Sequence, residues 1–348
     1  MDSSSDFRLI RPISVTDAKL TASSVPEAVV TEYAGGTTYA AGEIRGVTTG
    51  TAQVVYESRK AGNVGNAPAS SPEWWKKLGT VYAAYAVGTT YAKDDIVTDL
   101  AAHQLYKSQI AGNVGQPLTD KSKWLPLGAT NRWKMFDKAV NSQTVAPGSV
   151  SVTVALGELA NTLTLLNVTG ATVTVSQTES GYSRTRSLVR HDVLNWYDFY
   201  YEEPIRTGDL VFDDIPPYPT SSLTVTVDNG TADAAVGLFS IGKSRTLGKT
   251  QWELDGGVLS YSTSTADTFG NVTMVKRNNA KNLNFDVHIP MGFEDEAFRL
   301  LTLYTDVEMV VIGSSNYAMT IAYGFLGQWS VPISIKGKPA RIEFRGLV

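Results

Sequence analysis

The feature that most constrains this chain is an internal repeat in residues 33 to 128, because two tandem copies of one short unit must each close a core of their own. Tyr33-Ala-Gly-Gly-Thr-Thr-Tyr39-Ala returns fifty-two residues later as Tyr85-Ala-Val-Gly-Thr-Thr-Tyr91-Ala. The offset then shortens to fifty, where Tyr56-Glu-Ser58 meets Tyr106-Lys-Ser108 and Ala61-Gly-Asn-Val-Gly65 meets Ala111-Gly-Asn-Val-Gly115. It reaches forty-nine where Trp75-Lys-Lys-Leu-Gly79 meets Trp124-Leu-Pro-Leu-Gly128. Deletions that fall between matched blocks mark loops, and the blocks mark fixed elements. Strand-like pieces at 44 to 47, 54 to 58, 96 to 98 and 104 to 108 alternate with Gly-rich turns, so each unit reads as a small β-module. A module of about 50 residues buries a modest share of its surface and must lean on large rings. Tyr39, Tyr56 and Trp75, with Tyr91, Tyr106 and Trp124, are the core aromatics this predicts.

The rest of the chain changes period. Val150-Ser-Val-Thr-Val154, Thr162-Leu-Thr-Leu165, Ala171-Thr-Val-Thr-Val175 and Leu223-Thr-Val-Thr-Val227 alternate β-branched or apolar residues with small polar ones, the pattern of half-buried antiparallel strands. Beyond residue 257 strand patterns surround one helix over 294 to 304, which makes that part α+β or mostly β. The fold class is therefore mostly β: two small tandem β-modules, then β-sandwich-like and mixed α+β domains. The boundaries read as an N-terminal arm over 1–32, repeat 1 over 33–80, repeat 2 over 81–129, a β-sandwich-like domain over 130–256 and a C-terminal β-rich domain over 257–348.

Several classes of function fall away on composition. With 30 Lys and Arg against 34 Asp and Glu and no single-sign run, the chain offers no footprint for nucleic acid. There is no cysteine, hence no disulfide or thiolate site. The polar start carries no secretory pattern and the longest apolar runs fall short of the roughly 20 residues of a spanning helix, so the expectation is cytoplasmic synthesis without membrane insertion. His103, His191 and His288 show no ligand spacing, and the Gly-rich loops at 62 to 65 and 112 to 115 are not followed by Lys-Ser/Thr, so neither metal nor cofactor is expected. Paired acids occur at Glu202-Glu203, Asp213-Asp214 and Glu294-Asp-Glu296, each read as a capping or solvated cluster rather than a catalytic pair. No catalytic residue is assigned.

The order Thr-Tyr-x-x-Gly-x-Ile, Val-Tyr-x-Ser, a Gly/Asn/Pro loop and a closing Trp-x-x-Leu resembles the chitin-binding type of carbohydrate-binding module, families 5 and 12, with Asp94 standing in copy 2 where copy 1 has Gly42. That resemblance implies sugar stacking by exposed rings. Trp74, which has Lys123 as its counterpart, and Tyr33 and Tyr85 at the entrances of the repeats are the glycan-binding candidates. The loops at 62 to 72 and 112 to 122 hold no aromatic residue, which favours a second reading of the repeats as assembly domains. Over the whole chain, Arg11-Pro-Ile13, Thr16-Asp-Ala18, Thr130-Asn-Arg-Trp-Lys-Met-Phe-Asp137, Asp267-Thr-Phe-Gly-Asn-Val272 and Gly346-Leu-Val348 resemble a family of bacteriophage tail proteins. The resemblance implies a non-enzymatic structural role in a virion tail, tail tip or baseplate. It implies other tail proteins and further copies of the chain as partners, in trimers or hexamers, with host surface polysaccharide as an optional contact. The aromatic run 196 to 201 is the interface candidate. The alternative is a secreted glycan-binding accessory protein of a polysaccharide-degrading system.

Overall fold

The computed structural model describes residues 6–190, 195–201, 205–251, 254–333 and 338–347. Glu202, Glu203, His191 and the first two residues of the aromatic segment at 193–201 lie outside them. The protein is mostly β.

Strand β1 (Asp6–Pro12) and β2 (Leu20–Ser23) precede the repeats. Repeat 1 is an antiparallel sheet in the order β3 (Ile44–Thr49), β4 (Ala52–Ser58), β5 (Trp75–Tyr82). Repeat 2 has the same order in β6 (Ile96–Asp99), β7 (Gln104–Ser108) and β8 (Trp124–Ala129). The remaining body is built on β9 (Thr144–Ala155), β10 (Thr162–Thr169), β11 (Thr172–Gln177) and β12 (Ser183–Ser187). A two-residue pair, β13 (Val189–Arg190) and β14 (Ile205–Arg206), flanks helix α1 (Trp196–Tyr201). After β15 (Leu210–Phe212) comes β16 (Ser222–Thr250), a strand of 29 residues. Then follow β17 (Asp255–Ser260), β18 (Thr263–Ala266), β19 (Val272–Val275), β20 (Asn279–His288), helix α2 (Glu294–Tyr304), β21 (Met309–Ile312), β22 (Ile321–Ser330) and β23 (Ala340–Gly346).

The long strand organises the body. Its first part pairs with β9 and β11, its middle with β10, and its end with β1 and β20, so one 13-stranded sheet runs through the sequence boundary at 256. Period-two alternation sends its residues to different cores. Leu223, Val225 and Val227 join Val150, Val152 and Val154 in one cluster, while Leu247 joins Phe7, Leu9, Phe285, Leu301 and Phe344 in another. The division at 256 is thus not a structural one, because β16 and β20 belong to the same sheet. Nor is the N-terminal segment a peripheral arm. Strand β1 lies between β16 and β21, with Phe7 and Leu9 on one face and Ile10 on the other, all fully buried. A strand apolar on both faces has to be an interior strand. Just before β22, Ala318–Thr320 is a 3-10 turn.

Candidate functional site

The two repeats carry the same aromatic core. In repeat 1 the ring of Trp75 meets Tyr39 edge-on at 5.3 Å and Tyr33 at 5.7 Å; in repeat 2 Trp124 meets Tyr91 at 5.4 Å and Tyr85 at 5.7 Å. The polar ends of the rings are satisfied at equivalent places. The indole Nε1 of Trp75 donates to the Asn66 carbonyl (2.8 Å), and that of Trp124 to the Gln116 carbonyl (3.1 Å). The Tyr39 hydroxyl donates to the Ala34 carbonyl and the Tyr91 hydroxyl to that of Ala86. Buried Asn63 and Asn113 donate from Nδ2 to Ser58 Oγ and Ser108 Oγ, both at 3.1 Å. At the motif glycine, Gly42 has φ +85°, and Asp94 keeps that left-handed turn at φ +74° while its carboxylate pairs with Lys107 at 2.7 Å. Asp tolerates this backbone region better than most residues.

These contacts decide what each predicted ring can do. Tyr39, Trp75, Tyr91 and Trp124 are buried and closed to a ligand. Tyr56 and Tyr106 are half-buried, with Tyr106 packed against its repeat's core. Tyr33 and Tyr85 lie elsewhere than expected. Rather than standing at the entrance outside the core, each packs onto the Tyr-Trp pair of its own repeat, and the Tyr85 hydroxyl donates to the Gln116 carbonyl at 2.7 Å. The spacing from the motif tyrosine was legible; that this first ring closes the cluster was not. Trp74 is half-buried and outside the core, with the Lys60 amine 5.1 Å from its ring centroid. It is the one glycan candidate whose ring is not committed to a neighbouring aromatic side chain among the described residues.

A polar clasp that the sequence did not announce fixes repeat 2 to the body. His103, at the turn into β7, stacks on Trp133 at 4.0 Å and holds Glu27 through Nδ1 (2.9 Å) and Asp17 through Nε2 (3.1 Å). Glu27 also accepts hydrogen bonds from Trp133 Nε1 (3.0 Å) and Thr130 Oγ1 (2.8 Å). By the offset of fifty, His103 occupies the position of Gln53, which serves repeat 1 in the same way. The buried Gln53 amide bonds the backbone of Val30 on both sides. It fits because Gly46 faces it: a Cβ at Gly46 would lie 2.1 Å from Gln53 Cδ. Copy 2 has Thr98 there, whose carbonyl accepts from the Tyr85 amide as that of Gly46 does from Tyr33, and its His103 turns to the body. The difference between Gln53 and His103 was the available signal.

The acid clusters at 213–214 and 294–296 are committed to structure. Asp213 pairs with Arg8 at 2.9 Å. Burial pushes the Asp214 carboxyl up, but hydrogen bonds from the Tyr182 hydroxyl and Arg184 outweigh it and hold the group below its ordinary range. Burial and the neighbouring Asp214 raise the Tyr182 phenol. Glu294, Asp295 and Glu296 occupy the first turn of α2, where Glu294 accepts from the Gly292 amide at 2.7 Å. Among the described residues no group of three or more His, Asp or Glu side chains is placed to hold a metal, and no helix is long and apolar enough to cross a membrane.

Two elements stand out from the surface. The exposed helix α1 carries Trp196, 79% exposed, with Tyr197 and Tyr201 packed ring to ring at 4.9 Å. The β18–β19 hairpin exposes Val272, Met274 and Val275, and its tip carries Phe269 at 90% exposure. Fold and surface thus define a mostly β protein with a single extended sheet, two aromatic-cored modules on its N-terminal side, and unusually apolar projections. No protein-family model matches the chain, and no curated protein or solved structure matches it.

Proposed function

We propose that this chain is a non-enzymatic structural subunit of a bacteriophage tail or tail tip, built as a homo-oligomer, in which the two repeats serve mainly as assembly or display modules. The observation that carries this reading is the concentration of exposed aromatic and aliphatic side chains on projecting elements of a well-packed β body. Apolar surface of that kind normally marks a contact with another protein. The order of sequence elements that resembles phage tail proteins supports the same reading.

Sugar contact is a second, smaller role, favoured by Trp74 alone. Stacking on one aromatic ring contributes about 1 kcal/mol, which corresponds to weak affinity at a single site and becomes useful through many copies. The test is antibody labelling of purified tails with a tag inserted between Ala69 and Ser70, both exposed. Decoration of the tail or its tip supports the reading; tails free of label, with the protein left in the soluble fraction, refute it.

A further inference from the structure

The hairpin of β18 and β19 has no core of its own. Between residues 255 and 279 only Ser262 is even half-buried. A two-stranded hairpin without packing is at best marginal in water. Its cross-strand pairs nevertheless gather apolar groups on one face: Val272 opposes Ala266 and Met274 opposes Ser264, with Phe269 at the tip. The tip turn is closed by Asp267, which accepts from the Phe269 amide (2.9 Å), the Asn271 amide (2.8 Å) and the Asn271 side chain (2.8 Å). So the hairpin presents an ordered apolar plug beside an acidic group.

The same chain carries a matching depression. Helix α2 and the end of β16 enclose a groove of about 790 Å³, lined by the apolar Leu247, Phe293, Leu300 and Leu303 and by Arg245, Arg299 and Glu296. Neither arginine has an ion-pair partner among the described residues. Phe293 and Leu303 are largely exposed, although the helix is otherwise seated by Ala297, Leu301 and Tyr304. The apolar lining, with two arginines against one glutamate, fits the apolar, acidic tip.

The two features cannot meet within one molecule. Both are anchored on β20: the hairpin leaves it at the Asn279 end, where Tyr261 bonds Asn278, and the groove lies at the His288 end, where His288 pairs with Lys249. Ten residues of strand hold these ends about 30 Å apart. We propose that the β18–β19 hairpin seats its Phe269 tip in the groove between α2 and β16 of a second copy of this chain, joining copies head to tail. The contact is heterologous: each copy offers one plug and one groove, so repetition generates a ring or an open stack. Naming the neighbour as another copy rests on the assembly reading above; the hairpin's need for cover does not.

The experiment measures the mass of the full-length chain in solution against concentration, for the wild type, Phe269→Ser and Leu303→Glu. Both positions are exposed, and circular dichroism melting confirms that the variants fold. The wild type is expected to grow beyond the 37.6 kDa of one chain, and each variant alone to stay at that mass. An equimolar mixture is expected to form a pair of twice that mass and nothing larger, because one variant keeps its groove and the other its plug. A mixture that stays at single-chain mass overturns the head-to-tail contact, and so does a wild type that never associates. Association persisting in both variants overturns this contact while leaving the assembly reading standing.

Discussion

Trp74 and Trp75 are adjacent in sequence and opposite in role, which makes them a matched pair for testing the account of the repeats. Trp75 is 2% exposed, contacts Tyr33 and Tyr39 edge-on, and spends its indole N–H on the Asn66 carbonyl. Truncating a buried Trp to Ala costs about 3–5 kcal/mol, of which the aromatic contacts account for about 0.5–1.5 kcal/mol each. A module of about 50 residues is stable by roughly 2–7 kcal/mol. Trp75→Ala therefore removes most or all of the stability of repeat 1. Trp74→Ala loses a half-exposed ring and a cation contact worth about 0.5–1 kcal/mol. Hydrogen exchange on the full chain reads both. Trp75→Ala is expected to bring amides of β3, β4 and β5 to rapid exchange while those of β9 and β10 keep their protection; Trp74→Ala is expected to leave both protected. Equal deprotection by the two substitutions, or full protection in Trp75→Ala, would refute the reasoning.

Further outcomes follow from the same geometry. Tyr85→Ala is expected to destabilise repeat 2 by about 2–4 kcal/mol, read by the same exchange measurement, since the ring closes the aromatic cluster and its hydroxyl bonds Gln116. Glu27→Ala leaves Trp133 Nε1 and Thr130 Oγ1 without their acceptor, so an urea-unfolding series should show a loss of about 2–4 kcal/mol, with faster exchange in residues 130–136. For pH, Asp214 has a carboxyl held below its unfolded value of 3.8, so its contribution is present above that value and is lost as pH falls through the lower folded one. Asp214→Asn should therefore flatten the acid limb of thermal stability below about pH 4, and an unchanged limb would count against it. Gly42→Val forces a β-branched side chain into φ +85° and should lower the melting temperature of repeat 1, at about 1–2 kcal/mol of strain.

The repeats were legible because matched blocks carry rare residues in order, and the rings at Tyr39, Trp75, Tyr91 and Trp124 sit in equivalent cores. The helix at Glu294–Tyr304 was legible from its acidic first turn and apolar spacing. Long-range pairing was not. Nothing local in Asp6–Pro12 says that it lies between β16 and β21, because that depends on partners some 240 and 300 residues away. The same holds for β16, which continues from the alternating 223 to 227 segment through an irregularity at 228 to 233 to Thr250. Tyr33 and Tyr85 were misplaced for a related reason: a ring at a module's edge is exposed or buried according to whether a loop folds back on it, and spacing is silent on that. The clasp of Glu27, His103 and Trp133 joins three separate segments and has no motif.

The role proposed for this chain is that of a repeated structural part of a tail. Its most direct test is quantitative mass spectrometry of particles purified from the cells that express it, with the tail fraction separated from heads and soluble protein. The account predicts that the chain's peptides follow the tail fraction, at a copy number per particle that is a multiple of three. Peptides confined to the soluble fraction would contradict it.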